Sequence, residues 1–285
     1  VIVALDFDAV GNSTQPARIS WNSDRALLYA VGVGAGQEDS LKELQFTTEN
    51  CAGITQQVLP TFAVMLGSST PNLPMVMYGD VDRSKLLHGQ QSIRLHRPIP
   101  VQGEGMQTMS LTGIYDKGSG ALVLRTTSVT DLEGNLIVEC VNGSFIRGEG
   151  GFGGPNVPED EWLFPSRPAD YVIHQKTRKD QALIYRLSGD RNPLHNDPSF
   201  AARAGYEMPI LHGLCSFGFV GRALLHATCG SDVANFQAMS ARFSKPVMPG
   251  QTLTTSMWVT GGNVQFQTKV GEDVVLDRGT AEVSA

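Results

Sequence analysis

Between Tyr185 and Pro198 the chain reads Tyr-Arg-Leu-Ser-Gly-Asp-Arg-Asn-Pro-Leu-His-Asn-Asp-Pro. Asp190, Asn192 and His195 bring a carboxylate, an amide and an imidazole into one short stretch. An ionised Asp accepts a proton, and an imidazole gives or takes one near neutral pH. Together Asp190 and His195 could hold one water molecule and act as a general acid–base pair. The competing reading is turn chemistry, because Asp and Asn bond their own backbone and a His can close a helix end. Taken alone, Asp190 or Asn192 reads as a turn residue. The cluster reads as functional, because one turn rarely needs three such groups. A second segment, Pro209-Ile210-Leu211-His212-Gly213-Leu214, leads into an apolar run. If a helix starts there, its first N–H groups are free and its positive dipole end faces outward. Gly213 would let a ligand oxygen approach its N–H, an oxyanion hole worth roughly 3–4 kcal/mol in a transition state. Equally, Gly213 simply eases the chain into the helix.

These groups need rigid neighbours, and the sequence supplies them. Gly189 stands where a short helix stops. Asp197 is a good N-cap and Pro198 a good first helical residue, so the loop is held at both ends. Pro193 stiffens it between. From Gly213 to Ala227 the chain is apolar on most sides, as a helix buried inside other structure must be. Gly218 and Gly221 would be costly on an exposed helix, so they imply the close approach of another backbone.

The chain also repeats itself. Asp24-Arg25-Ala26-Leu27-Leu28-Tyr29 matches Asp180-Gln181-Ala182-Leu183-Ile184-Tyr185 at a constant offset of 156. Leu95-His96-Arg97-Pro98-Ile99 matches Phe243-Ser244-Lys245-Pro246-Val247 at an offset of 148, so the first half carries eight extra residues between the anchors. Strand-like runs follow in each half: 121–127 and 135–140 in the first, 252–259 and 263–267 in the second. The pattern is that of two α+β units of similar design, residues 1–147 and 158–285, and a curved antiparallel sheet around one central helix would suit the apolar run of the second. A Gly-rich linker, 148–157, separates them.

Composition narrows the class. The 285 residues are 41% hydrophobic and 18% charged, enough for a real core. The net charge of −6 argues against broad nucleic-acid binding, though not against a local basic pocket for a phosphate-bearing ligand. Cys51, Cys140, Cys215 and Cys229 form no C-x-x-C pair and read as reduced core residues. His88, His96, His174, His212 and His226 lack partners at metal-ligand spacing and read as structural, so no metal is expected. Gly32-Val33-Gly34-Ala35-Gly36 follows a helix instead of linking a strand to one, which is wrong for a dinucleotide loop. No apolar run reaches the roughly 20 residues of a membrane span. The first residues lack the basic region of a signal peptide. The expectation is a cytoplasmic protein with no membrane partner.

The stretch Tyr185 to Ala201 matches the hydratase 2 signature of the MaoC-like family: Tyr, a spacer, Leu-Ser-Gly-Asp-x-Asn-Pro-Leu-His, five residues, then Ala. The resemblance runs over nearly the whole chain, through Leu59-Pro60-Thr61-Phe62, Leu87-His88-Gly89, Asp116-Lys117-Gly118-Ser119-Gly120 and 243–250. It implies a double hot dog fold, each half a curved antiparallel sheet wrapped around a helix, with the two halves pairing inside one chain. It implies (R)-specific hydration of 2-enoyl-CoA, with Asp190 and His195 as the dyad, Asn192 assisting and Gly213 facing the thioester oxygen. His88, Gly89, Lys117 and Phe243 stand where the family contacts the CoA ester. Arg191, Pro193 and Leu194, inside the signature, are expected to bind substrate too. Glu49 matches an acidic family position and is read as supporting structure. No cofactor is implied beyond the CoA of the substrate, and a homodimer is expected.

At offset 156, Asp190 corresponds to Gly34 and His195 to Asp39, so the first half lacks the dyad. Only the second half is expected to be catalytic, with the first holding the acyl chain and part of the CoA. The alternatives are a thioesterase, a dehydratase acting on acyl carrier protein, and a non-catalytic acyl-CoA-binding subunit.

Overall fold

Strands of alternating burial make the frame of the computed structural model, which describes residues 5–67, 73–82, 85–155 and 162–284. The first half holds β1 (Ala17–Trp21), α1 (Ser23–Gly32), α2 (Leu44–Thr47), α3 (Ala63–Gly67), β2 (Leu86–Leu95), β3 (Gly103–Asp116), β4 (Gly120–Thr130) and β5 (Leu136–Arg147). The second holds β6 (Tyr171–Lys176), α4 (Gln181–Tyr185), α5 (Pro198–Arg203), α6 (Gly213–Thr228), β7 (Phe236–Phe243), β8 (Thr252–Thr260), β9 (Asn263–Val270) and β10 (Asp273–Val283). Strand order is β1-β3-β4-β5-β2-β7-β10-β9-β8-β6. Read outward from the centre, both halves follow the same path, so the sequence repeat is also a repeat of topology.

The two expected sheets are one. β2 pairs antiparallel with β7, with Ser92 opposite Ser240. Those serines are 148 apart, the offset of the second sequence anchor, so a pseudo-twofold axis passes between them. Left apart, β2 and β7 would each present a row of unpaired N–H and C=O groups. Joining them satisfies both edges and brings the halves into one body, the double hot dog.

Helix α6 is buried along its length, from Leu214 to Leu225. Side chains of the first half, rather than a backbone, explain its glycines. A Cβ on Gly218 would overlap Val33 and the Tyr29 hydroxyl, and one on Gly221 would overlap Thr61. The counterpart of α6, placed just before β2, is α3 with the single turn Pro60–Phe62 ahead of it. Within the described residues the two central helices are unequal: α3 has 5 residues and α6 has 16.

The Gly-rich segment is pinned rather than loose over its described part. The Asp116 carboxylate accepts from the N–H of Gly151 at 2.9 Å and of Gly153 at 2.7 Å, and Gly148 N–H donates to Ser119 O at 2.9 Å. This ties it to the β3–β4 turn that carries Lys117. Residues 156 and 157 of the expected linker, and residues 1–4, lie outside the described residues.

A buried ion cluster also locks the halves. Glu43 accepts from Arg222 at 2.7 Å, lies 2.7 Å from His226 Nε2, and accepts from Gly36 N–H at 3.0 Å. Glu43 holds a left-handed backbone, φ 59°, to do so. Burial alone would raise its pKa, but His226, Arg222 and the Gly36 N–H outweigh burial and hold it below the ordinary carboxylate range. Removing one partner of such a cluster leaves a buried charge uncompensated, at a cost of about 3–5 kcal/mol. Glu43→Ala is expected to lose roughly 3 kcal/mol at pH 7 by urea denaturation. Because the native pKa is depressed, the stabilisation is complete above the ordinary carboxylate range and fades as pH falls through the native value. The deficit of the variant should therefore shrink toward pH 3.

Candidate active site

The reactive loop is built by local rules. Helix α4 runs into the turn Arg186–Ser188, and Gly189 reverses the chain at φ 145°, a value that suits only glycine. Asp190 Oδ1 accepts from Asn192 N–H at 3.1 Å, and Asn192 Oδ1 from Leu194 N–H at 3.0 Å. Pro193 opens the turn Pro193–His195. Asp197 caps α5, accepting from Ser199 N–H at 2.8 Å. Both turn readings thus hold for Asp190 and Asn192, and both residues still line a cavity.

His195 is 8% exposed, and its Nδ1 lies 2.9 Å from the Ile210 carbonyl. A carbonyl can only accept, so Nδ1 carries the proton and Nε2 keeps its lone pair. His212 stacks on it, ring centroids 3.8 Å apart at 27°. His212 Nε2 donates in turn to the Asp190 carbonyl at 3.3 Å. The structure therefore packs His212 against His195 from behind the cavity wall, although its spacing gave no sign of this. Burial pushes the His195 pKa down, partly opposed by the Ile210 carbonyl and Asp190. Burial, then the neighbouring His195, pushes His212 down to about 2. Both rings are neutral at pH 7. Donor atoms of Asp190, His195 and His212 lie within 4.8 Å of one another. His212 spends Nε2 on a carbonyl and encloses Nδ1, so two free donors remain, fewer than the three protein ligands of a catalytic zinc site.

The cavity, about 630 Å³, lies between the halves. Asp190, Asn192, Leu194, His195, Gly213 and Phe243 wall it from the second half, and His88, Gly89 and Lys117 from the first. Arg191 and Pro193 do not line it; both are exposed. Glu49 is exposed too and absent from the wall. Phe243 explains why residue 213 is glycine: an added Cβ would stand 3.1 Å from that ring. His88 lies 4.7 Å from Phe243 by ring centroid and accepts from Asn142 Nδ2 at 2.9 Å. Burial pushes the His88 pKa down to about 4, so it too is neutral. Gly89 is the extra residue of a bulge in β2, between the pairs His88–Ser144 and Gln90–Gly143. Bulges of this kind re-aim side chains beside active sites.

Sequence reading missed the cations. Arg147, Arg242, Lys245 and Arg278 line the same cavity as Lys117. They are scattered over more than 130 residues of chain, so no local pattern could have grouped them.

A neutral imidazole with a bare Nε2, a carboxylate beside it and the first N–H groups of a buried helix can deprotonate water and steady charge on a carbonyl oxygen. With the double hot dog frame, this defines an enzyme of the general acid–base class. Residues 20–148 match the family described as MFE-2 hydratase 2 N-terminal domain, and residues 164–279 match the MaoC like domain. The chain belongs to the MaoC-like hydratase 2 family. It is 46% identical to 3-hydroxyacyl-thioester dehydratase Y of Mycobacterium tuberculosis over 99% of this chain and 100% of the relative. It is 41% identical to a peroxisomal enoyl-CoA hydratase 2 of Arabidopsis thaliana, over 90% of this chain and 87% of that one. The crystal structure of a MaoC-like dehydratase from Phytophthora capsici superposes with a TM-score of 0.88 at 35% identity, covering 98% of both chains. Among the described residues no helix is long and apolar enough to cross a membrane.

Proposed function

We propose that the chain adds water reversibly to trans-2-enoyl-CoA, giving (3R)-3-hydroxyacyl-CoA in fatty acid metabolism. The neutral, tautomer-fixed His195 beside Asp190, with Gly213 in the same cavity, carries the reading. Conjugation with the thioester makes C3 electrophilic. Water held by Asp190 and His195 attacks C3 as the pair removes its proton. Negative charge reaches the thioester oxygen and meets the Gly213 N–H. A proton then returns to C2 from the same pair. Asn192 has committed Oδ1 to its own turn and assists through Nδ2. The second half, 158–285, supplies the chemistry. The first half, 1–147, supplies His88, Gly89 and Lys117 to the ester. Leu194 and Phe243 complete the binding wall, while Arg191 and Pro193 shape the loop. The enzyme acts without metal or redox cofactor, as a homodimer in the cytoplasm.

Loss of enoyl absorbance with crotonyl-CoA and with trans-2-decenoyl-CoA, followed by chiral analysis, tests this. The expected product is the 3R alcohol. Release of free thiol would instead identify a thioesterase, and CoA binding without turnover a binding subunit.

The pH profile follows from the tautomer. Protonating Nε2 removes the base, and burial delays that protonation to a pH below the ordinary 6.5 of histidine. kcat/KM should hold between pH 7 and 8 and fall at lower pH, with its midpoint below the ordinary histidine value of 6.5. A midpoint above 7 would contradict a buried neutral imidazole.

A further inference from the structure

We propose that Arg278 determines carrier specificity by binding a phosphate group of the CoA portion of the substrate. This rests on the hydratase reading above. Strand β10 carries one extra residue near Arg278. On the β9 side, two residues lie between the paired Leu276 and Gly279, against one between Thr268 and Phe266. On the β7 side, two lie between Asp277 and Thr280, against one between Arg242 and Ser240. The result is a bulge opposite both neighbours. Arg278 sits in it with φ 49°, a left-handed conformation that side chains other than Gly, Asn and Asp avoid.

The guanidinium gives the fold nothing visible in return. It is exposed, and it makes no hydrogen bond or ion pair among the described residues. It does line the cavity. Its neighbours are already committed: Asp277 accepts from Gln267 at 2.8 Å, and Lys245 is paired with Asp273. Lys117, Arg147 and Arg242, lining the same cavity, also lack a carboxylate partner among the described residues. Four unpaired cations around one cavity, in a chain of net charge −6, form a local anion site. Arg278 is the one of the four held in a strained backbone, and a bulge is a device for aiming a side chain. A guanidinium matches phosphate through two parallel N–H donors. CoA presents a pyrophosphate and a 3′-phosphate, whereas bare pantetheine presents neither.

The experiment compares crotonyl thioesters of CoA, dephospho-CoA and pantetheine on wild type, Arg278→Asn and Arg278→Lys. Asn tolerates the left-handed backbone, so this variant should melt no lower than wild type. Its preference for the CoA ester over the pantetheine ester, as a ratio of kcat/KM, should fall about tenfold, chiefly through KM, and Arg278→Lys should keep most of it. A loss confined to CoA assigns the 3′-phosphate; an equal loss with dephospho-CoA assigns the pyrophosphate. An unchanged ratio in Arg278→Asn, or an equal loss on all three esters, overturns the proposal. If wild type turns over none of the esters, the hydratase reading fails separately. Calorimetric CoA affinity of Arg278→Asn then decides, with an unchanged Kd counting against Arg278.

Discussion

Asp190→Asn and His195→Gln each lower kcat by about 10²–10⁴-fold while the protein stays folded. Asn is nearly isosteric with Asp and keeps an oxygen for the Asn192 N–H, so the turn survives. What it loses is the charge that holds and deprotonates water beside His195. Gln at 195 can still donate to the Ile210 carbonyl but has no basic nitrogen to replace Nε2. Because the two residues act on one water, their losses do not add: the double variant should be no slower than the worse single one by more than a few-fold. Steady-state rates on crotonyl-CoA, with circular dichroism as the folding control, check this. Wild-type turnover in either folded variant would remove the dyad from the mechanism.

The second large effect lies at the start of α6. Gly213→Pro deletes one N–H and little else of the helix, since proline is at home in the first helical position. Its ring would press on Phe243, because even a Cβ there comes within 3.1 Å, so the variant is best made with Phe243→Leu. Loss of one oxyanion donor costs roughly 10²–10³ in kcat. The expected result is that fall in kcat for the double variant relative to Phe243→Leu alone. A fall seen only in KM would mean that the N–H holds the ground-state ester without steadying the developing charge.

The reactive loop was legible because its rules are local. Gly189 ends one helix, Asp197 and Pro198 start another, and each hydrogen bond of Asp190 and Asn192 to the backbone spans two residues. The buried helix was legible because Gly213 to Ala227 is apolar on most sides. The duplication was legible because two anchors kept their order. From these the sequence by itself determined two α+β halves, a central helix in the second, and an Asp–His pair in that half alone. Only the tertiary structure decided what depends on strand order. Pairing β2 with β7 made one sheet of two and set the first half's His88 against the second half's Phe243. The fold stacked His212 on His195, 17 positions apart in the chain and with no periodicity to link them. It turned Arg191 and Pro193 outward from a segment whose spacing could not assign their faces. It gathered Lys117, Arg147, Arg242 and Arg278 around one cavity, because side chains far apart in sequence meet only where the register of the sheet places them.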